Sequence, residues 1–181
     1  MRVTFEIRLL DLSDINLIGE IDRSEHMDIE YSVAGGRLVA RKVDFDVPRW
    51  HRQGTGEFSV AGVIEEWRPI VAAAASFMGA FDGDELCGIV IVDGSFEPGL
   101  AWLAFLYVSR KHRRRGVATA LWSAAESVAA EANAETMYVS AVPSGSAVGF
   151  YLSRGCELAK PPHPELLAKE PEDIHLVCPI G

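Results

Sequence analysis

Residues 108–122 read V-S-R-K-H-R-R-R-G-V-A-T-A-L-W and concentrate the groups best suited to hold an anion. Five of the six residues at 110–115 are Lys or Arg, His112 being the exception, and Gly116 follows them. An unbroken apolar stretch, Leu100 to Val108, enters this turn, and a run of small, helix-patterned residues leaves it. A strand feeding a helix through such a turn leaves the first helical N–H groups unpaired, at the positive end of the helix dipole. That arrangement suits a phosphate-bearing ligand, and Gly116, lacking a Cβ, lets the ligand approach the backbone. The competing readings are a solvated basic loop and a nucleic-acid patch. The formal net charge of −9 argues against general affinity for nucleic acid or anionic membrane. A localised positive site on an acidic chain fits a small polyanion better.

The elements that must position this turn follow from periodicity. Val3, Phe5, Ile7 and Leu9 alternate as in a half-buried strand. Asp11, Ser13 and Asp14 are placed to cap a helix carrying Ile15, Leu17, Ile18 and Ile21. Residues 23–31 are polar and mixed and read as a solvated loop, with Gly35-Gly36 turning into a short strand at 37–43. Residues 44–57, with Pro48, Trp50 and His51, read as a long loop of the kind that borders binding sites; Trp50 reads equally as a core plug. Residues 60–68 are helical in pattern and stopped by Pro69, and 70–75 are ambiguous. Asp82-Gly83-Asp84 joins strands at 77–81 and 86–92 as a hairpin. Leu100 to Val108 has the continuous apolarity of a central strand. The helix after Gly116 puts Val117, Leu121, Ala124 and Val128 on one face. Residues 136–142 form a further strand, 144–156 a serine-capped helix ending at a glycine, Pro161, Pro162 and Pro164 a rigid loop, and Ile174 to Pro179 a last strand. The order points to one α/β domain over residues 1–181.

Two spacings resemble the signatures of the GNAT superfamily of acyl-CoA N-acyltransferases. Arg113-x-x-Gly116-x-Ala118 resembles its pyrophosphate-binding signature, Arg/Gln-x-x-Gly-x-Gly/Ala. Ala147-x-x-Phe150-Tyr151-x-x-x-Gly155-Cys156 resembles its second signature, A-x-x-x-Y-x-x-x-G-F, and follows the first by a helix and a strand. Two motifs in order and in context weigh more than either alone. The resemblance covers about residues 77–158 well and the N-terminal part by element order. It is nearest a large bacterial group sharing three phrases, here I-D-R-S-E (21–25), Y-V-S-A-V-P-S-G-S-A-V-G-F-Y (138–151) and E-P-E-D-I-H-L (170–176), a likeness that brings no substrate with it. Ser144 stands where many relatives have Asn, and Cys156 where Phe is usual. Leu100 to Val108 carries no carboxylate, although some relatives place a general base on that strand.

The resemblance implies a mixed, mostly antiparallel sheet flanked by helices, with strands splayed at an acetyl-CoA site, and direct acetyl transfer to a primary amine of a small molecule or protein. It assigns the pyrophosphate to the turn formed by Arg113, Arg114, Arg115, Gly116, Val117, Ala118 and Thr119. The pantetheine arm and acetyl carbonyl fall between Leu106, Tyr107 and Val108 on one side and Val142 on the other, with Ser144, Ala147 and Phe150 beside them. A backbone N–H near Val108 would polarise the carbonyl. Tyr151 becomes the candidate general acid for the departing thiolate, since a phenol of pKa ~10 stays protonated at neutral pH; its alternative is an amphipathic core residue. Glu25, Glu30 and Glu66, with Trp50, are the acceptor-side candidates, each carboxylate equally readable as a solvated surface group.

An acyl-CoA-binding domain without turnover is the alternative function. His163 and His175 stand too far apart for a metal site, so no metal is expected. Cys87, Cys156 and Cys178 read as buried structural thiols of a reducing compartment. The N-terminus lacks a signal-peptide pattern and no apolar run spans a bilayer, which makes a cytoplasmic protein without membrane or nucleic-acid partners the expectation. A homodimer is compatible with the resemblance.

Overall fold

The computed structural model describes residues 5–73 and 75–181; Val3 of the expected first strand lies outside them. Seven strands form one sheet: β1 (Glu6–Leu10), β4 (Ser76–Asp82), β5 (Glu85–Glu97), β6 (Leu100–Val108), β7 (Thr136–Ala141), β8 (Glu157–Leu158) and β9 (Ile174–Pro179), in the order β1-β4-β5-β6-β7-β9-β8. All neighbours are antiparallel except β6 and β7. β2 (Glu25–Ala34) and β3 (Arg37–Val47) make a separate two-stranded ribbon. This is the mixed, mostly antiparallel sheet flanked by helices that the resemblance implies.

Both faces of the sheet are covered, which explains the near-continuous apolarity of β6. On one face α2 (Val117–Glu131) and α3 (Gly145–Leu152) bury Leu121, Trp122, Ala125 and Val148 against Val90, Leu103 and Val139. On the other, a 3-10 helix (Leu12–Glu20) and α1 (Val60–Ala72) bury Ile15, Ile18, Val63 and Trp67 against Ile89, Ile91, Trp102 and Phe105. Gly88 in β5 lets α2 come close, since a Cβ there would stand 3.0 Å from Leu121 and 2.8 Å from the Tyr107 carbonyl.

Several expectations are corrected. The capped N-terminal helix is present, with Asp11 and Asp14 in reciprocal bonds to the backbone, but it is 3-10. Ile15, Ile18 and Ile21 recur every third residue, the period of that helix, and all three are buried. Residues 25–31, read as solvated loop, belong to β2, and β3 runs on through residue 47. The ribbon is held by its ladder, by a Gly35-Gly36 turn with φ of 57° and 70°, and by side-chain pairs such as Arg41–Glu30 (2.5 Å). Pro69 does not stop α1, which runs to Ala72. Beyond the proline, Val71 is buried on the same face as Val63 and Trp67 and the Ala73 amide bonds the Pro69 carbonyl, which carries the helix through its last turn. Pro164 opens a helix, α4 (Pro164–Lys169), where the sequence suggested only loop; proline at the first helical position forfeits no hydrogen bond. Cys156 and Cys178 are joined in a disulfide, leaving Cys87 as the buried free thiol. The chain reversal at Gly155 brings Cys156 against β9, whose alternation turns Cys178 to the same core. Among the described residues no helix is long and apolar enough to cross a membrane.

Candidate active site

A β-bulge opens the sheet where the two signatures meet. In β6, Ile91 of β5 pairs with Phe105 and Val92 with Leu103, so Ala104 is the extra residue. The bulge shows in the burial phase: Ala104 and Phe105 are consecutive yet lie in the same core cluster, with Leu103 and Leu106 on the opposite face. A bulge bends its strand, and the parallel pairing of β6 with β7 ends at Leu103↔Val139. Beyond it Leu106, Tyr107 and Val108 pair with β5 alone, and Ser140 and Ala141 with β9 alone. The gap leaves backbone groups of two strand ends without ladder partners.

The basic turn stands directly after this gap. Gly116, at φ 91°, is the N-cap of α2 and offers no side chain to its first turn. Among the described residues no backbone acceptor takes the amides of Arg115, Gly116, Val117, Ala118 or Thr119. A Cβ built on Gly116 meets nothing within 4 Å, so the space over these amides is open. The guanidinium groups are less free than their number suggests. Arg113 donates to the Val108 carbonyl (3.1 Å), Glu25 (3.1 Å) and the Arg23 carbonyl (3.0 Å). Arg115 reaches Asp82 (2.9 Å) and His112 (2.8 Å). Arg114, exposed at φ 59°, projects from the turn. Arg154, which the sequence reading passed over, donates to the Thr119 hydroxyl (2.7 Å) and lies 4.9 Å from the centre of the Phe150 ring. Its place ten residues after Ser144, next to the Gly155 of the second signature, was its only signal in the sequence.

The second signature begins as the sequence predicts. The Ser144 hydroxyl accepts from the Ala147 amide (3.2 Å), capping α3. Ser144→Ala should lower the unfolding free energy by about 1 kcal/mol, the usual worth of an N-cap, read from denaturant midpoints; an unchanged midpoint would mean the cap contributes nothing. Phe150 and Tyr151 pack edge-on against Trp122. Tyr151 is 6 % exposed, and burial, followed by the negative charges of its surroundings, pushes its phenol well up. Its neighbours in that field are Tyr107, Asp173 and Glu170. Burial likewise pushes Tyr107 up to about 12.

The acceptor-side candidates scatter. Glu25 joins the two signatures, accepting from Arg113 and from the Ser146 hydroxyl (2.7 Å). Glu30 pairs with Arg41 on the ribbon, whose Tyr31 amide donates to the Pro143 carbonyl (2.8 Å). Trp50 is a core plug, 7 % exposed, its ring centre 5.4 Å from that of Tyr107 and 6.2 Å from that of Phe105. Glu66 is ion-paired with Lys169 (3.1 Å). Val142, at the end of β7, is exposed. Glu170 and Asp173 lie in the phrase E-P-E-D-I-H-L (170–176), where their types and spacing alone do not mark a site. Burial, then the charge of Asp173, pushes Glu170 up to about 7, with Ser140 and Lys169 pulling the other way. Burial and then Glu66 push Asp173 up to about 6.

Comparison with known proteins agrees with this geometry. The family described as the Acetyltransferase (GNAT) family matches residues 45–156. No curated protein sequence matches the chain significantly. In structure the chain is similar to nourseothricin acetyltransferase, at 20% identity and a TM-score of 0.72, covering 98% of this chain and 99% of that one. It is similar to a putative streptothricin acetyltransferase from Bacillus anthracis in complex with acetyl coenzyme A, at 15% identity and a TM-score of 0.67, covering 98% and 99%. It is also similar to the ribosomal-protein-S18-alanine N-acetyltransferase from Escherichia coli, at 14% identity and a TM-score of 0.62, covering 98% and 95%. At these identities the likeness is one of fold, whereas the family match spans more than half of the sequence: the chain belongs to the GNAT acetyltransferase family.

Proposed function

We propose that the protein transfers the acetyl group of acetyl-CoA, the co-substrate of its family, directly to a primary amine of a small molecule or protein. The observation that carries this reading is the juxtaposition of a bulge-opened gap between β6 and β7 with a run of unpaired amides at the start of α2. The amides of residues 115–119 would hold the pyrophosphate, with Arg114 and Arg154 supplying charge at its rim. The pantetheine arm is an extended chain of amides and fits the gap as a strand would, between Leu106, Tyr107 and Val108 and Val142. A free N–H near Val108 would polarise the thioester carbonyl, where negative charge develops as the amine attacks. Tyr151 would donate its proton to the leaving sulfur.

The arginine of the first signature has a different task in this reading. Arg113 ties Val108, Arg23 and Glu25 together, so it shapes the turn rather than touching phosphate. Glu25, held by Arg113 and Ser146, is likewise part of the frame. The reading of an acyl-CoA-binding domain without turnover draws on one observation: Leu100–Val108 carries no carboxylate.

Calorimetric titration with acetyl-CoA, paired with free-CoA release against a panel of amines, tests the proposal. Saturable binding with amine-dependent release is expected. Binding without release from any amine would favour the non-catalytic reading. Absence of binding would overturn the assignment of the turn.

A further inference from the structure

The phrase Glu170-Pro171-Glu172-Asp173 has no part in the frame described so far, yet the sheet register delivers it to the gap. Ile174 pairs with Ala141, the last residue of β7, so Asp173 stands beside the strand end from which β6 has parted. The turn is fixed from several sides. The Glu170 amide donates to the Leu166 carbonyl (2.9 Å), and the Glu170 carbonyl accepts from the Asp173 amide (3.2 Å) and from His175 Nε2 (2.9 Å). The other ring nitrogen of His175 lies 3.4 Å from the Ser140 hydroxyl on β7. Against this rigid backbone the Glu170 side chain holds one carboxyl oxygen, Oε2, buried and without a hydrogen-bond partner. An unpartnered buried oxygen is costly and calls for a reason.

A second observation points to what would occupy the space. The Tyr151 hydroxyl, on a residue 6 % exposed, is hydrogen-bonded to none of the described side chains, and it lies within electrostatic reach of Glu170 and Asp173. Tyr107, from β6, is within reach of the same two carboxyls and of Arg23 and Glu25. Groups from β6, α3 and the turn before β9 therefore converge beside the end of β7 with unused hydrogen-bonding capacity. Facing Glu170 are Asp173 and Lys169 from its own segment, Glu66 from α1, Ser140 and His175 from the sheet, and the two tyrosines.

Resting on the transferase reading above, we propose that Glu170 is the general base for the acceptor, with Asp173 as a positioning residue that sets its charge and favours a cationic primary amine. The ammonium loses one proton to the Glu170 carboxylate. The neutral nitrogen attacks the thioester carbon, the C–N bond forms and the C–S bond breaks. The leaving sulfur takes a proton from Tyr151, which regains one from the attacking nitrogen. Amide and CoA thiol result, and the proton on Glu170 returns to solvent. A base serves best when its pKa lies near the working pH, and the burial that brings Glu170 up to about 7 supplies that match. It also has a cost. A carboxyl whose pKa rises on folding stabilises the fold only while protonated, and that contribution is lost as pH rises through the folded value. Strained ionisations of this kind gather at functional sites.

The test is a pH profile of kcat/KM with putrescine, glucosamine and a tripeptide bearing a free N-terminus, for the whole chain and two variants. In the unaltered protein the rate should fall as pH drops below about 7, because the carboxylate is the active form. Glu170→Gln should remove that limb and lower kcat by about 100-fold, the scale of a general base. Acetyl-CoA affinity, measured calorimetrically, should be unaltered, which also shows the variant folded. Asp173→Asn removes the neighbouring negative charge, so it should move the limb to lower pH and raise the KM for amine. A merely structural pair would lower the rate at every pH and leave the limb in place. A Glu170→Gln protein that keeps its rate and its limb overturns the assignment while leaving acetyl transfer standing. Loss of acetyl-CoA binding in the unaltered protein overturns the transferase reading instead.

Discussion

Gly116→Trp should weaken acetyl-CoA binding by at least 100-fold. Gly116 sits at φ 91°, with nothing within 4 Å of the place its Cβ would take. An indole there has room to fill the open space beside the first amides of α2. It would stand where the pyrophosphate must approach the N–H groups of residues 115–119. Hydrogen bonds to a charged group are worth about 1.5–3 kcal/mol each, so losing two amounts to a factor of about 10² to 10⁴. Backbone strain is a separate effect, because a side chain at a left-handed φ costs about 1–2 kcal/mol. Gly116→Ala isolates it: the strain is the same and the filled volume small. Calorimetry on both, with thermal midpoints as the fold check, should show a modest loss of stability in each and a large loss of affinity only in the tryptophan variant. Equal acetyl-CoA affinity in Gly116→Trp and the unaltered protein would move the pyrophosphate away from this turn.

What the amino-acid order reveals depends on where each interaction partner lies. Leu100 to Val108 announces itself because helices cover both faces and every position is apolar. The basic turn is legible because a glycine and the amides after it act locally, within a few residues. β2 carries a strand signal that its charged residues mask: Met27, Ile29, Tyr31 and Val33 alternate with Asp28, Glu30 and Ser32, but only Met27 is buried and the strand is held by its ladder with β3. The bulge at Ala104 leaves no trace in a run where all residues are apolar, although it opens the site. Arg113 shows the converse. Its type and spacing fit phosphate binding, and only the fold discloses that residues 88 and 90 positions upstream claim its guanidinium. Glu170 is the furthest from view. Glutamate between a proline and a helix end reads as surface, and its place beside the end of β7, within reach of Glu66 on α1, follows from the Ala141↔Ile174 register.

Tyr151→Phe should lower kcat by about 100-fold while leaving acetyl-CoA affinity within about twofold, the pattern of a group whose work is done in the transition state. The change deletes one hydroxyl that bonds no described side chain, so the ring contacts with Trp122 and Phe150 persist and folding stability should hold. Burial raises the phenol, making Tyr151 a weaker acid than in water. The same desolvation acts on the sulfur: a thiolate released into the gap loses its hydration and holds a proton more strongly. Donor and acceptor therefore shift together, and the phenol remains able to neutralise the departing charge. Tyr107 is the necessary comparison, because its hydroxyl lies in the same field and it too is protonated at neutral pH. Free-CoA release rates for Tyr151→Phe and Tyr107→Phe separate the two. A large loss in the first and a small one in the second fits the proposed roles; the reverse would hand the acid to β6 and leave Tyr151 as packing. The acidic limb of the pH profile should survive in both variants, since it belongs to Glu170. Its disappearance in Tyr151→Phe would mean that tyrosine and carboxyl titrate as one unit.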